Sequence, residues 1–112
     1  MTPWISEWLK ETGAEAFRGR IVSVDSRNLG NDRRGLLLVL EDSFGERARV
    51  LEMIYPWGHS LADLLSKTFP GTKLTTDLLP ELVGQSVKLS LVEKRLKSDP
   101  TVVYHRKIWA LL

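Results

Sequence analysis

The sequence predicts a mainly β domain of five strands, with one helix at the N-terminus and one between the third and fourth strands. The strongest observation is a β-hairpin over residues 36–55. A short apolar run at 36–40 is followed by the turn signal Asp42-Ser43-Phe44-Gly45, and residues 47–55 then alternate between two faces. Apolar residues recur at helical spacing over residues 4–9 and 61–69. A chain of 112 residues with a hydrophobic fraction of 43% can bury the core of one domain, residues 1–112.

The composition limits the class of protein. The chain has no cysteine, which excludes disulfides, thiolate metal ligands and a cysteine nucleophile. No apolar run approaches the roughly 20 residues that span a bilayer, and the charged N-terminal segment does not resemble a signal peptide. We therefore expect a cytoplasmic protein of a cell, or of a phage or mobile element that acts inside one.

The first element is a short helix over residues 1–13. Thr2 suits the N-cap and Pro3 suits the first helical position. The helix is expected to end at Gly13, because glycine is the residue that most often follows the last helical turn. The apolar side chains share one stripe: Trp4, Ile5, Trp8 and Leu9. We favour the interpretation that this stripe packs on the body of the domain. The alternative is a docking surface for a protein partner or a second copy, since two Trp on a short helix carry a large apolar area.

The first strand is predicted over residues 17–26, where Gly19 indicates a bulge or a sharp bend. Residues 27–35 are polar and are predicted to be a loop that carries three arginines. In the hairpin that follows, the inward side of the second arm holds Ala48, Val50 and Ile54. Its outward side holds Arg47, Arg49, Met53 and Tyr55. Cations and an aromatic ring on one face describe a half-buried strand that can bind a ligand.

The second half of the chain begins with a helix from Ser60, the predicted N-cap, to Phe69. A further helical turn is predicted at 76–82, and the fourth strand at 85–95, where apolar and polar residues alternate. A charged turn at 95–100 leads to the last strand, residues 101–112. Its inward face is not predicted, because both alternating sets contain apolar and polar residues.

Five strands with one internal helix after the third match the order of an OB-fold. That fold is a partly open five-stranded Greek-key barrel, which binds oligonucleotides on its second and third strands and on its 1–2 and 4–5 loops. A five-stranded roll or sandwich is the alternative.

Residues 17–112 resemble the small OB-fold single-stranded-DNA-binding proteins of phages and mobile elements. The resemblance lies in the order of elements, in the segment LPELVGQSVKL at residues 79–89, and in a basic turn before a last strand that ends in an aromatic. It implies a role in replication or recombination. The chain departs from bacterial single-strand-binding proteins at residues 108–112, IWALL, where those proteins carry a flexible tail with an acidic tip. The recruiting role of that tail is therefore not expected.

Positive charge is unevenly distributed along the chain, although the formal net charge is only +2. Residues 16–34 hold five arginines against two aspartates, and residues 67–112 hold eight Lys or Arg against four acidic residues. The remaining segments, 1–15 and 35–66, are net negative. Basic segments that are distant in sequence can form one patch when the fold brings them together, whereas charge scattered over the surface is the alternative.

In an OB-fold the 1–2 loop, the 4–5 turn and the outward face of the third strand would converge on one basic groove. The predicted nucleic-acid-binding residues are Arg27, Arg33, Arg34, Arg47, Arg49, Tyr55, Trp57, Lys94, Arg95, Lys97 and Arg106. Candidate rings for base stacking are Phe44, Tyr55, Trp57 and Tyr104, and Trp57 in its Pro-Trp-Gly turn is expected to be accessible. Trp109 is assigned to the core.

The sequence favours a binding protein over an enzyme. His59 and His105 are the only histidines, and there is no phosphate-binding loop, nucleophile elbow or His pair at metal spacing. An acidic Mg²⁺ site formed by Asp25, Glu41 and Asp42 is a disfavoured alternative, so neither cofactor nor metal is expected. We expect single-stranded DNA, or RNA, to be bound largely without sequence preference. The alternative function is a protein-interaction module, a subunit or an inhibitor, that docks through the N-terminal stripe.

Overall fold

The computed structural model describes residues 2–112, and of Tyr55 it describes the backbone alone. Its elements, in chain order, are α1 (Ile5–Thr12), β1 (Ala16–Gly30), β2 (Arg33–Glu41), β3 (Arg47–Tyr55), α2 (His59–Thr68), a 3₁₀ helix (Thr76–Leu82), β4 (Ser86–Arg95) and β5 (Val103–Leu111). The strands form one antiparallel sheet in the order β3-β2-β1-β4-β5. The predicted mainly β class is confirmed, together with the two helices and the helical turn at 76–82. Within the described residues, no helix has the length and apolar character needed to cross a bilayer.

The long central strand β1 pairs with two neighbours in succession. Residues 16–20 pair with β4, and residues 20–30 pair with β2. The irregularity predicted at Gly19 lies further along the strand: Gly19 pairs in regular register with Val87, and the register with β2 shifts between Ile21 and Ser23. A Cβ on Gly19 would lie 2.2 Å from the carbonyl oxygen of Glu41. Glycine is therefore needed where β1 passes the end of β2.

The predicted loop at residues 27–35 is wrong in extent. β1 continues to Gly30 and β2 begins at Arg33, so that Asn31 and Asp32 alone form the turn. Both turn residues have positive φ, 50° and 58°, as a two-residue type I′ hairpin requires. The segment is polar because this end of the hairpin is exposed to solvent, while its backbone groups are still paired across the two strands.

The β2–β3 hairpin is confirmed. Its turn is held by the carboxylate of Asp42, which accepts hydrogen bonds from the amides of Phe44 and Glu46 at 2.9 Å. Leu38 lies opposite Val50 and Leu40 opposite Ala48, so the apolar sets of both strands face the core. The predicted inward side of β3 is therefore correct.

The core lies between the inner face of the sheet and α2. Fully buried side chains come from every strand and from α2: Phe17, Ile21, Leu36, Leu38, Leu40, Val50, Leu61, Leu64, Leu65, Val87, Leu89 and Trp109. The assignment of Trp109 to the core is confirmed, and it identifies the inward face of β5. Because residues alternate along a strand, Lys107 shares that face with Trp109.

The two edge strands, β3 and β5, contact each other through side chains. The ammonium group of Lys107 on β5 donates to the carbonyl of Leu51 at 2.6 Å and lies 3.0 Å from the carboxylate of Glu52. The Trp109 indole N–H donates to Glu52 at 3.4 Å, and the Ser60 hydroxyl donates to it at 2.5 Å. The Glu52 side chain is 1% exposed. A buried carboxylate thus joins β3, β5 and the start of α2.

Both helices begin at residues other than those predicted. The helix α1 begins at Ile5 with Trp4 as N-cap, because the Pro3 carbonyl accepts a hydrogen bond from the Arg49 amide at the edge of β3. In the same way, α2 begins at His59 with Gly58 as N-cap. The Ser60 hydroxyl makes no capping bond since it is bound to Glu52.

Candidate nucleic-acid interface

The tip of the β1–β2 hairpin carries the first set of predicted cations. Arg27, Arg33 and Arg34 are all exposed. The two consecutive arginines line an open cleft of about 600 Å³ together with residues 30–32 and Asn28. Arg27 lies 3.9 Å from Asp25, a distance at which an exposed ion pair leaves the guanidinium accessible to other anions.

The cations predicted on the outward face of β3 have partners within the protein. Arg47 donates to the carboxylate of Glu41 at 2.8 Å. Arg49 is stacked on the ring of Trp4, with its guanidinium carbon 4.2 Å from the ring centroid. The Arg49 Nε atom is buried without a hydrogen-bond partner among the described residues. The predicted contact of Tyr55 involves a side chain outside the part of the chain that the structure describes.

The outward face between these cations is aliphatic. Leu37 and Val39 of β2 and Leu51 and Met53 of β3 are half-buried there. The side chains of Leu29 and Leu51 close over Gly35, where a Cβ would meet their methyl groups at 3.1 and 3.0 Å. This surface can contact sugars and base faces through methyl groups, and aromatic stacking needs rings from its borders.

Three of the predicted stacking residues are exposed, each at a different place on the sheet. Phe44 at the β2–β3 turn is 90% exposed, Tyr104 on β5 is 44% exposed, and Trp57 after β3 is 39% exposed. The expectation that Trp57 is accessible therefore agrees with the exposed fraction of its side chain. Rings at these three positions lie on different elements and are free to stack with bases.

The β4–β5 turn holds the second set of predicted cations, Lys94, Arg95 and Lys97, all of them exposed. The turn is ordered by its own hydrogen bonds: Arg95 donates to the carbonyl of Pro100 at 2.9 Å, and the carboxylate of Asp99 accepts from the Thr101 hydroxyl at 2.6 Å and from the Thr101 amide at 3.1 Å. These bonds, the hydroxyl first, lower the pKa of Asp99 below its ordinary value.

Removing the Thr101 hydroxyl tests this turn. We expect Thr101→Val to raise the pKa of Asp99 back towards its ordinary value, because only the hydrogen bond from the backbone amide of residue 101 remains. Because the pKa of Asp99 is lower in the folded protein, its ionised carboxylate stabilises the turn. This stabilisation is fully present at a pH above the ordinary pKa of Asp and is lost as the pH falls through the lowered pKa. An NMR titration of the Asp99 carboxyl carbon measures the shift. Ser98→Ala is the control, and an unchanged Asp99 titration in Thr101→Val would contradict the assignment.

Arg106 lies in a different cleft, between β5 and the start of α2. This cleft of about 510 Å³ is lined by His59, Ser60, Tyr104, His105, Arg106 and Lys107. It brings a predicted cation together with a predicted stacking ring and with both histidines. The Lys107 ammonium group is paired with Glu52. Among the residues that line this cleft, Arg106 is therefore the exposed cation that can bind an anion.

The two basic hairpins extend from opposite ends of β1. The β1–β2 turn follows Gly30, whereas β4 pairs with residues 16–20 and then continues past Ala16 to the β4–β5 turn. The β1–β2 turn lines one cleft, and residues 104–107 of β5 line a different one. The convergence of both hairpins on one groove therefore stays a prediction.

Arg18 and Lys88, which lie directly opposite each other on β1 and β4, are not among the residues predicted from the sequence. The signal was the alternation of Arg18 and Arg20 with Phe17, and of Lys88 with Val87 and Leu89, which places these cations on the outer face.

The apolar stripe of α1 is largely used within the domain. Ile5 is 5% exposed, and Trp8 packs edge-on against Phe17 with ring centroids 4.7 Å apart. Leu9 also packs against the core, which leaves Trp4 37% exposed over Arg49. The favoured interpretation of the stripe agrees with these contacts, and a partner on this helix stays a prediction.

The carboxylates considered for Mg²⁺ are occupied elsewhere. Glu41 pairs with Arg20 and Arg47, while Asp42 holds the β2–β3 turn. Among the described residues, no three or more His, Cys, Asp or Glu side chains are grouped as metal ligands would be.

Comparison of the chain with protein-family models, with curated proteins and with solved structures gives no significant match.

Proposed function

We propose that the chain is an OB-fold domain that binds single-stranded nucleic acid, single-stranded DNA in the first place, with little sequence preference. The observation that carries the proposal is the strand order β3-β2-β1-β4-β5 together with side-chain contacts between its two end strands. An OB-fold is a partly open five-stranded Greek-key barrel, and contacts between the two end strands of a sheet are what such a barrel requires. The Glu52–Lys107 contact supports such a barrel.

The helix between β3 and β4 supports the same fold. The helix α2 packs its buried leucines into the core and contacts both β3 and β5. Lys67 on α2 donates to the carbonyl of Trp109 on β5 at 2.7 Å, and Ser60 on the same helix donates to Glu52 on β3. One helix thus bridges the two edge strands.

The chemistry of the exposed residues supports single strands as the ligand. Phosphates need cations, and the two basic hairpins supply Arg33, Arg34, Lys94 and Lys97 at exposed positions. Unpaired bases need flat rings, and three of the predicted stacking residues have exposed rings. Stacking contributes roughly 1–3 kcal/mol per base and depends little on base identity. The proposed biological role is to protect or present single strands during replication or recombination of a phage or mobile element.

Titration of intrinsic Trp fluorescence with oligo-dT, oligo-rU and a duplex of equal length tests the function. We expect single strands to quench the emission, added salt to weaken binding, and the duplex to bind less well. The ratio of the dT and rU affinities assigns DNA or RNA. Trp57→Phe should remove most of the quenching while binding persists in a gel-shift assay, because the other Trp side chains are more buried or stacked within the protein.

The variant Arg33→Glu with Lys97→Glu tests the two hairpins together. It should weaken oligo-dT binding by at least roughly tenfold at low salt, since two phosphate contacts become repulsive. Lys10→Glu with Lys73→Glu carries the same change of charge at exposed positions outside the predicted site and is the matched control. Wild-type affinity in the hairpin variant would refute the groove.

A further inference from the structure

We infer that the outer face of β1, β4 and β5 is a second contact surface for the phosphate backbone of a bound single strand. This face, called the basic face below, is defined by Arg18 on β1, Lys88 and Lys94 on β4, and Tyr104 and Arg106 on β5. The inference rests on the proposed function and extends it to a surface separate from β2, β3 and the β1–β2 hairpin.

The register of the sheet places these side chains on one face. Phe17, Leu89 and Trp109 are buried in one cross-strand row, so the residues that alternate with them point outward. Arg18 lies opposite Lys88, which lies opposite Ala110. Further along, Val92 lies opposite Arg106, and Lys94 lies opposite Tyr104.

The strands of the basic face carry cations and no carboxylate at their outward positions. At the border with β2, Glu41 and Asp42 share a cleft with Arg18, but Glu41 is paired with Arg20 and Arg47. The outward positions on β4, on β5 and on residues 16–20 of β1 hold no Asp or Glu, since Glu93 alternates to the other side. Among the described residues, Arg18, Lys88, Lys94 and Arg106 form no ion pair. Arg18 and Lys88 are directly opposed like charges, an arrangement that destabilises a sheet unless an anion lies between them. A bound polyanion would relieve this repulsion.

Charge also decides which occupant fits this face. A symmetric contact with a second copy would bring the same cations against each other, which opposes association. A nucleic acid strand supplies a row of phosphates, and the neighbouring side chains suit its other parts: Tyr104 is 44% exposed and Ile108 is 40% exposed. The ring of Tyr104 can stack on a base while Arg106 binds the adjacent phosphate.

The basic face is continuous with the cleft beside α2. Tyr104 and Arg106 belong to the face and also line that cleft with His59 and Ser60. A nucleic acid strand that follows these two residues would cross the outer edge of β5 towards Trp57, which precedes α2. The inferred path therefore connects the β4–β5 hairpin with the start of α2, which follows the predicted stacking residue Trp57.

The test is the neutral variant Arg18→Gln with Lys88→Gln, compared with Lys10→Gln with Lys73→Gln as the matched control. Oligo-dT affinity is measured against salt concentration, and the melting temperature is measured without ligand. We expect roughly tenfold weaker binding at low salt and a log–log salt slope that is shallower by about 1.4, which corresponds to two phosphate contacts. The melting temperature should stay equal or rise, because neutralisation removes a like-charge pair.

Each other result has a distinct meaning. If wild type binds oligo-dT and the neutral variant keeps both affinity and slope, the basic face is not a contact surface while the proposed function stands. Loss of affinity with an unchanged slope and a lowered melting temperature would also overturn the inference, since it indicates damage to the fold. A change of oligomeric state in light scattering, with an unchanged slope, would assign the face to a second copy. If wild type binds no single strand, the proposed function fails first.

Discussion

Replacing Lys107 by Met is expected to lower the free energy of unfolding by about 3 kcal/mol, the lower end of the range for breaking a buried ion pair. The Glu52 carboxylate is 1% exposed and would lose Lys107, the one cation that pairs with it among the described residues. The carbonyl of Leu51 would lose a hydrogen bond as well. We place the effect at the lower end because the Lys107 side chain is 27% exposed, so water can solvate part of the site. Urea unfolding followed by circular dichroism measures the change.

A second substitution separates the uncompensated charge from the lost packing. Adding Glu52→Gln to Lys107→Met should restore stability to within about 1.5 kcal/mol of wild type, because a neutral amide needs no cation and can still bond Ser60 and Trp109. Lys73→Met is the control on an exposed lysine and should change stability by less than about 0.5 kcal/mol. A double variant no more stable than Lys107→Met would show that the buried charge is not the cause.

This pair also bears on the form of the sheet. The two edge strands of the sheet, β3 and β5, are connected through the side chains of Lys107, Glu52, Trp109 and Ser60. If they form the barrel seam, Lys107→Met should speed amide hydrogen exchange first in β3 and β5. Exchange in the central pair β1 and β2 should be less affected, since its backbone ladder is unchanged.

The second large effect is expected from Gly19→Ala, which should destabilise the domain by about 3 kcal/mol. The new Cβ would lie 2.2 Å from the carbonyl oxygen and 2.8 Å from the carbonyl carbon of Glu41, and 3.0 Å from the ring of Phe17. The first two neighbours are backbone atoms of β2, so relief requires that β1 and β2 separate where β1 changes partners. Thermal or urea unfolding gives the magnitude.

Gly35→Ala is the matched control for this prediction. Its Cβ would meet the methyl groups of Leu51 and Leu29 at 3.0 and 3.1 Å, and these are ends of side chains that can rotate away. We expect a change within about 1 kcal/mol, because the loss of unfolded-state freedom offsets mild crowding. Equal effects at both glycines would show that the contact with the β2 backbone is not what requires glycine at position 19.

The sequence allowed much of the sheet to be predicted because a period of two is a local signal. The alternation of residues 47–55 identified Ala48 and Val50 as inward, and the turn at Asp42 was recognisable from its residue types. The same rule missed the extent of β1 beyond Ser26, since solvent-exposed strand ends have polar composition and resemble a loop. Polarity there reports exposure, whereas strand pairing depends on backbone groups that all residues share.

The candidate site was predictable only in part. Exposed arginines of the β1–β2 hairpin and lysines of the β4–β5 turn could be identified from charge along the chain. The contacts of Arg47 and Arg49 within the protein could not be predicted. Glu41 comes next to Arg47 only through strand pairing, and Trp4 comes next to Arg49 only because the N-terminal segment binds β3. Likewise, the opposition of Arg18 and Lys88 depends on the register between two strands far apart in sequence.

By itself, the sequence determined the elements of this protein: the strand hairpin, the apolar faces, two helices, a Trp-containing core strand and two basic segments. Each follows from residues close together in the chain, where side-chain period and turn chemistry act directly. The tertiary structure alone decided which strands lie at the ends of the sheet, that Glu52 is buried against Lys107, and that Pro3 and Trp4 bind the edge of β3. These features depend on contacts between distant segments, which form only when the whole core is assembled.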